Sequence, residues 1–222
     1  EVNIRFLSSP DTMQGADLII LAGSKSVRDD LLWLKENKWD AAIERHLRYG
    51  GKVMGICGGY QMLGEEIHDL LGIEGTAGST QGLGLLAMQT HLTEHKQLKQ
   101  VSGVFKQGGA TFSGYEIHAG ISKGAALLTP LLQMASGEQE GTIPEDGQVL
   151  GTYVHGIFDQ PEACLWLLRW AGLSEVQVID KAALAEQGIE LMADTLEEFL
   201  DMPQLEQCCQ KFYPFVRKTP SL

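Results

Sequence analysis

Positive charge is scarce in this chain. Over 222 residues, 17 lysines and arginines stand against 29 acidic residues, a net charge of −12. An acidic surface gains nothing from a nucleic acid or an anionic membrane, so neither is expected as a partner. Long apolar runs are missing as well: none approaches the ~20 residues of a membrane span. No basic stretch followed by an apolar one opens the chain as a secretory signal would. Cysteine is sparse and unpatterned. The 4 cysteines, at positions 57, 164, 208 and 209, form no C-x-x-C or regular framework, and an adjacent pair is poorly placed to bridge. These absences point to a reducing, cytoplasmic setting, with no disulfide framework and no metal site. There is no low-complexity tract, internal repeat or interdomain linker.

What is present suits one large α/β domain with a small appendage: 44% of residues are hydrophobic and 21% charged. Residues 1–200 are expected to form the domain and 201–222 a helical tail packed on it. Glu1 is not an initiator methionine and Val2–Leu7 alternates like a strand already under way, so the chain reads as a piece of something longer. Leu18–Leu21 is a continuous apolar run of the kind found in parallel strands buried on both faces. Ser26, with Asp29 three residues on, predicts a helix start, and Trp39, Ala42, Ile43 and Leu47 share one face of a second helix. Lys52–Ile56 is another short buried strand, and Gln61–Ile67 reads as helix. This order predicts a doubly wound, mostly parallel sheet flanked by helices, with ligand chemistry at the carboxyl ends of its strands. From Gly82 to Tyr153, short runs (Leu85–Thr90, Val101–Phe105, Thr111–Ile117, Val149–Val154) predict a partly antiparallel extension. Pro161 opens a helix, and helical segments 180–200 and 204–212 follow.

The stretch "GKVMGICGGYQMLGE", residues 51–65, raises the chemical question. Cys57 falls where a strand turns into a helix, between Gly55 and the pair Gly58–Gly59. Taken alone, a single cysteine reads as a small packing residue. A packing cysteine needs no glycines around it, whereas a nucleophile on a strand–turn–helix elbow does, because the backbone there must bend sharply or be approached closely. A nucleophile also needs a base. Of the 6 histidines, His46 lies among arginines, and His68, His91 and His95 sit in polar surroundings. His118 in "SGYEIHAG" and His155 in "GTYVHGIFD" stand at expected strand ends, and His155 is the leading base.

Four ordered blocks now carry a resemblance: "ADLIILAGSKS" at 16–26, "GICGGYQMLG" at 55–64, "SGYEIHAG" at 113–120 and "GTYVHGIFD" at 151–159. Together they resemble class I glutamine amidotransferases, and within them the glutaminase domain of the cobyric acid synthase group, over roughly residues 2–200. The resemblance implies that Cys57 attacks the side-chain amide of glutamine to form a thioester and release ammonia, with His155 moving the protons. It implies backbone donors for the oxyanion at Gly58 and Gly23, and substrate contact at Gln61. Tyr115, Glu116 and His118 are candidate supporting residues. It further implies partners: an ATP-dependent synthetase domain, which would hold ATP and magnesium, and a corrinoid whose carboxylates are amidated in cobalamin biosynthesis. This chain itself needs no cofactor, and no phosphate-binding G-x-x-x-x-G-K-[ST] spacing occurs in it.

The family usually places a glutamate two residues after the histidine to orient the imidazole, and here that position is Ile157. The cobyric acid synthase group lacks that acid. Glu116 or an acid from another domain remain open as replacements, while Asp159 has the wrong parity. Two alternatives stand beside this reading: the glutaminase subunit of an enzyme amidating cell-wall lipid precursors, and a catalytically silent interaction domain of the same fold.

Overall fold

The computed structural model describes residues 2–175 and 181–212. They fall into two compact units, 1–178 and 179–222. In the first, a parallel sheet is built from β1 (Leu18–Leu21), β2 (Lys52–Ile56) and, further along the chain, β9 (Val149–Thr152), in the order β1-β2-β9. The pleat sends successive residues to opposite faces. Val53 and Val149 enter one apolar cluster with Leu31, Ile43 and Leu63, while Met54 and Leu150 enter a second with Phe105, Phe112 and Leu167. Both faces of β2 and β9 are therefore buried, which is why their centres are apolar rather than alternating, while β1 leaves Ile20 exposed. Helices α1 (Val27–Glu36), α2 (Trp39–Arg48) and α3 (Gly58–Leu63) connect or follow the first two strands. In α2 the buried residues are Trp39, Ala42 and Ile43, on the face the periodicity predicts.

A second, mixed sheet contains β3 (Glu66–Asp69), β4 (Gly78–Gln81), β5 (Met88–Phe105), β6 (Thr111–Gly124), β7 (Leu132–Met134), β8 (Gln139–Glu140) and β10 (Val154–His155). Its main path runs β10-β6-β5-β3-β4, with β7 on β5 and β8 on β7. Only the β3–β5 pair is parallel within it. The α/β class holds, and the antiparallel part is larger than a mere extension. Helix α4 (Pro161–Trp170) packs Ala163 and Leu167 into the second apolar cluster. The second unit contains α5 (Lys181–Phe199) and α6 (Met202–Phe212). The end of the expected helical tail, 213–222, lies outside the described residues.

Several expectations are corrected. Val2–Leu7 forms no strand; its alternation exposes Val2, Ile4 and Phe6. The helix after Cys57 stops at Leu63, because Gly64 is extended and 66–69 pair as β3. The runs expected around 85–90 and 101–105 are ends of one 18-residue strand, bulged where the register shifts between Leu92 and Gln97. Its middle is polar because it lies in a long two-stranded hairpin, where apolar patterning is not required. His118 sits mid-strand in β6, not at a strand end. Val149–Val154 is not one strand: the chain bends at Tyr153 and passes from the parallel sheet to the mixed one.

Candidate active site

The glycines around Cys57 serve close approach rather than unusual dihedrals. A Cβ on Gly55 would lie 2.7 Å from the backbone of Gly59, and one on Gly59 would overlap the carbonyl oxygen of Leu21. Helix α3 thus rests directly on β1 and β2. The strained residue is the cysteine itself, at φ 54°, ψ −110°. A non-glycine at positive φ costs about 1–3 kcal/mol and persists only where its surroundings enforce it. Here they do: the Cys57 N–H donates to the Thr152 carbonyl at 2.8 Å, and its carbonyl accepts the Gln61 N–H at 3.1 Å. The elbow is the sharp turn expected of a nucleophile displayed at the end of a strand.

Gly23 stands between the two candidate catalytic side chains. The point its Cβ would occupy is 3.0 Å from His155 Cε1, 3.6 Å from Cys57 Cβ and 3.8 Å from His155 Nε2. A side chain at this position would press on the His155 ring and fill the space between it and Cys57. Gly58 packs on the same turn, its Cβ position 2.8 Å from the Ser24 nitrogen. The turns carrying Gly23 and Gly58 are therefore in contact beside the thiol.

Burial pushes the Cys57 thiol above its ordinary range; the Gly58 N–H pulls it down, Glu74 pushes it up and Lys96 pulls it down, and the net is upward. Burial also lowers His155, and the charge of His118 lowers it further. At neutral pH the pair is then a thiol and a neutral imidazole, not a preformed thiolate. The sulfur donates to the Ile117 carbonyl at 3.4 Å, while His155 Nε2 is buried without a partner. This nitrogen lies near Cys57, across Gly23. Catalytic contacts in ligand-free sites are often open in this way.

Among the described residues no acid bonds His155. Its ring is held instead against Tyr115, its partner in the β10–β6 pairing, with centroids 5.1 Å apart and planes 8° from parallel. Ile157 is 1% exposed and packs in the second apolar cluster. Glu116 does not replace the missing acid. It pairs with Val154, so it projects to the face opposite Tyr115 and His155, and it meets His118 at 3.6 Å and Lys99 at 3.3 Å. His118 is also committed: Nδ1 lies 2.9 Å from the Gly120 carbonyl and its ring stacks on Tyr153 at 3.8 Å. Asp159 closes the turn after the histidine, its N–H donating to Gly156.

Gln61 is buried, and its amide donates to the Tyr153 hydroxyl at 3.3 Å. That hydroxyl lies 2.6 Å from Ser122 Oγ, which in turn is 2.8 Å from Thr90 Oγ1. The four side chains form a polar layer under the elbow. Only Gln61 and Tyr153 lie in the four motif blocks; Thr90 falls in an expected strand and Ser122 in none, and neither carries a signal of chemistry. Glu74, which accepts the Val27 N–H at 2.7 Å at the start of α1, also had none. No group of three or more metal-ligating side chains occurs among the described residues, and no helix among them is long and apolar enough to cross a membrane.

A strained cysteine on an elbow at the carboxyl end of a parallel strand, across a glycine from a histidine whose Nε2 has no partner, marks an α/β domain with a candidate thiol site. Comparison narrows the class. The CobB/CobQ-like glutamine amidotransferase domain matches residues 1–163, and the chain belongs to that family. A crystal structure of a glutamine amidotransferase shares the fold at TM-score 0.59 and 17% identity, over 78% of this chain and 88% of that one. PurLQS from Thermotoga maritima aligns at 20% identity and TM-score 0.45, over 63% of this chain and 68% of that one.

Proposed function

We propose that this domain hydrolyses glutamine at Cys57 and supplies the ammonia to an ATP-dependent synthetase that amidates corrinoid carboxylates, the cobyric acid synthase reaction of cobalamin biosynthesis. The observation that carries the glutaminase half is the meeting of Cys57 and His155 over Gly23. The order of the four sequence blocks supports the finer assignment.

In this reading His155 Nε2 takes the Cys57 proton as the sulfur attacks the amide carbon. The oxyanion that forms accepts N–H groups from Gly58 and Gly23. The imidazolium then protonates the departing nitrogen, ammonia leaves and a γ-glutamyl thioester remains. Neutral His155 next takes a proton from water, which attacks the thioester, and the thiol is restored as glutamate departs. Gln61 supports the substrate side of the elbow. Thiol and imidazole suffice for these steps; ATP and magnesium belong to the synthetase, and a reducing cytoplasm keeps the thiol available.

The experiment measures glutamate release by this chain alone and with a cobyric acid synthase synthetase domain, ATP, magnesium and corrinoid acid. Stimulation by the corrinoid mixture supports the assignment. Stimulation only by a cell-wall lipid precursor and its synthetase moves the domain to that enzyme. No turnover in any mixture, with Cys57 unlabelled by a glutamine-mimicking electrophile, makes it a silent domain.

A further inference from the structure

Cys57 hangs from the parallel sheet and His155 belongs to the mixed sheet. Between them lies one corner, Thr152-Tyr153-Val154, where the chain changes sheets. A single carboxylate closes it. Glu140 accepts the Thr152 hydroxyl at 2.6 Å and the Tyr153 N–H at 2.7 Å. The Thr152 hydroxyl oxygen accepts the Val154 N–H at 3.0 Å, and the Thr152 carbonyl accepts the Cys57 N–H at 2.8 Å. From one side chain, short bonded paths lead to the nucleophile's backbone and to the residue before the base. Gly141 makes the approach possible: at φ +68° its Cβ would lie 2.6 Å from the Gly151 carbonyl oxygen, and Thr142 bridges Gly151 beside it.

We infer that Glu140 is a positioning residue for the Cys57–His155 pair, its ionised carboxylate holding the Thr152–Val154 corner in the geometry the reaction needs. The inference rests on the glutaminase reading above. Glu140 bonds neither catalytic side chain; it fixes the backbone from which both project. Accepting from the hydroxyl and the amide with both oxygens is a role for the charged form, since a protonated carboxyl turns one oxygen into a donor. The groups facing it are Tyr60 from α3, whose hydroxyl is buried without a partner, Tyr153 from the corner and Glu116 from β6. None is a cation. Burial raises the carboxyl, the bonds from Thr152 and Tyr153 lower it, the charge of Glu116 raises it and the Gly141 N–H lowers it; the outcome is about 7.

The sign follows. An acid whose folded pKa is raised costs the folded state stability as pH climbs from the ordinary carboxylate range to about 7. Glu140→Gln removes that cost and also removes the charged clamp. Its stability relative to the unmodified chain therefore rises with pH while its relative rate falls.

The test uses the full 222-residue chain and a glutamine-mimicking diazoketone, with labelling at Cys57 read by mass and unfolding read in urea from pH 5.5 to 8.5. We expect the ratio of unmodified to Glu140→Gln labelling rates to climb from near one to about tenfold, with a midpoint near 7. Taking a ratio cancels the titrations of Cys57 and His155. Thr152→Val is expected to slow labelling similarly, and Thr152→Ser to restore it, which covers the case of a Glu140 variant that does not fold. A ratio flat across pH, or a loss of rate that tracks a loss of stability, overturns the inference alone. Absence of labelling at Cys57 in the unmodified chain overturns the glutaminase reading and this inference with it.

Discussion

Tyr115 and His155 lie ring on ring, 8° from parallel, as directly paired residues of neighbouring antiparallel strands. With Ile157 turned into the core, this stack is what sets the plane of the imidazole. Among the described residues the ring is held by an aromatic face and by no hydrogen-bonding acid.

Tyr115→Phe keeps the ring and should leave thioester formation within about twofold, whereas Tyr115→Ala should slow it about three- to tenfold, matching the worth of an aromatic pair. Labelling rates with a glutamine mimic measure both. Equal losses in the two variants would move the role from the ring to the hydroxyl.

Cys57 should be labelled stoichiometrically by a glutamine-shaped electrophile but slowly by a general anionic thiol reagent at pH 7. Burial holds its thiol protonated, while Cys208 and Cys209 are exposed. Peptide mapping after partial reaction decides: with the general reagent the exposed pair should lead. Cys57 leading with that reagent would mean a preformed thiolate.

His155→Ala should reduce thioester formation by roughly 10²–10⁴, the usual reach of general acid–base catalysis. His118→Ala should do less, because both its ring nitrogens already face Gly120 and Glu116. Single-turnover measurements on the two variants check this, and equal losses would assign the base wrongly.

Two glycines should answer alanine with opposite signs. Gly59→Ala drives a methyl into the Leu21 carbonyl and should destabilise by about 1–3 kcal/mol or more. Gly188→Ala, inside α5 with nothing within 4 Å of the added carbon, should stabilise its helix by about 0.5–1 kcal/mol. Urea midpoints and helical circular dichroism separate them.

Glu116 is a linkage probe. Burial pushes its carboxyl up, but His118 and Lys99 together bring it below the ordinary value. A depressed folded pKa contributes stability above the unfolded value, and that contribution is lost as pH falls through the folded one. Glu116→Gln should therefore unfold at lower urea at pH 7, by about 1–3 kcal/mol, and converge on the unmodified chain well below pH 4. A constant difference across pH would mean the loss is one of packing.

The elbow and the placing of His155 beside it were legible because their signals are local. Gly55, Gly58 and Gly59 crowd one cysteine, and His155 closes a short apolar run. A sharp bend and a close approach were both open for the glycines; the fold selects approach, because Gly55 and Gly59 clear backbone for one another and for Leu21. The alternation at Val2–Leu7 promised a strand, but period alone does not supply a pairing partner. Polar β5 residues 91–100 gave no strand signal because the hairpin there has little core to face. Glu140 was invisible for a different reason. Its neighbours, Glu138, Gln139 and Gly141, read as a solvated turn, and only the return of β9 beside them gives the carboxylate something to hold.

The chain bends at Tyr153 as it passes between sheets. Because Cys57 and His155 are mounted on different sheets, the spacing of their backbones is set by the corner between them. The long β5–β6 hairpin touches both sides of that corner: Tyr115 and the Ile117 carbonyl, on one strand of it, reach His155 and Cys57 respectively. A substitution on that strand, such as Tyr115→Ala, therefore reaches the pair without replacing either side chain.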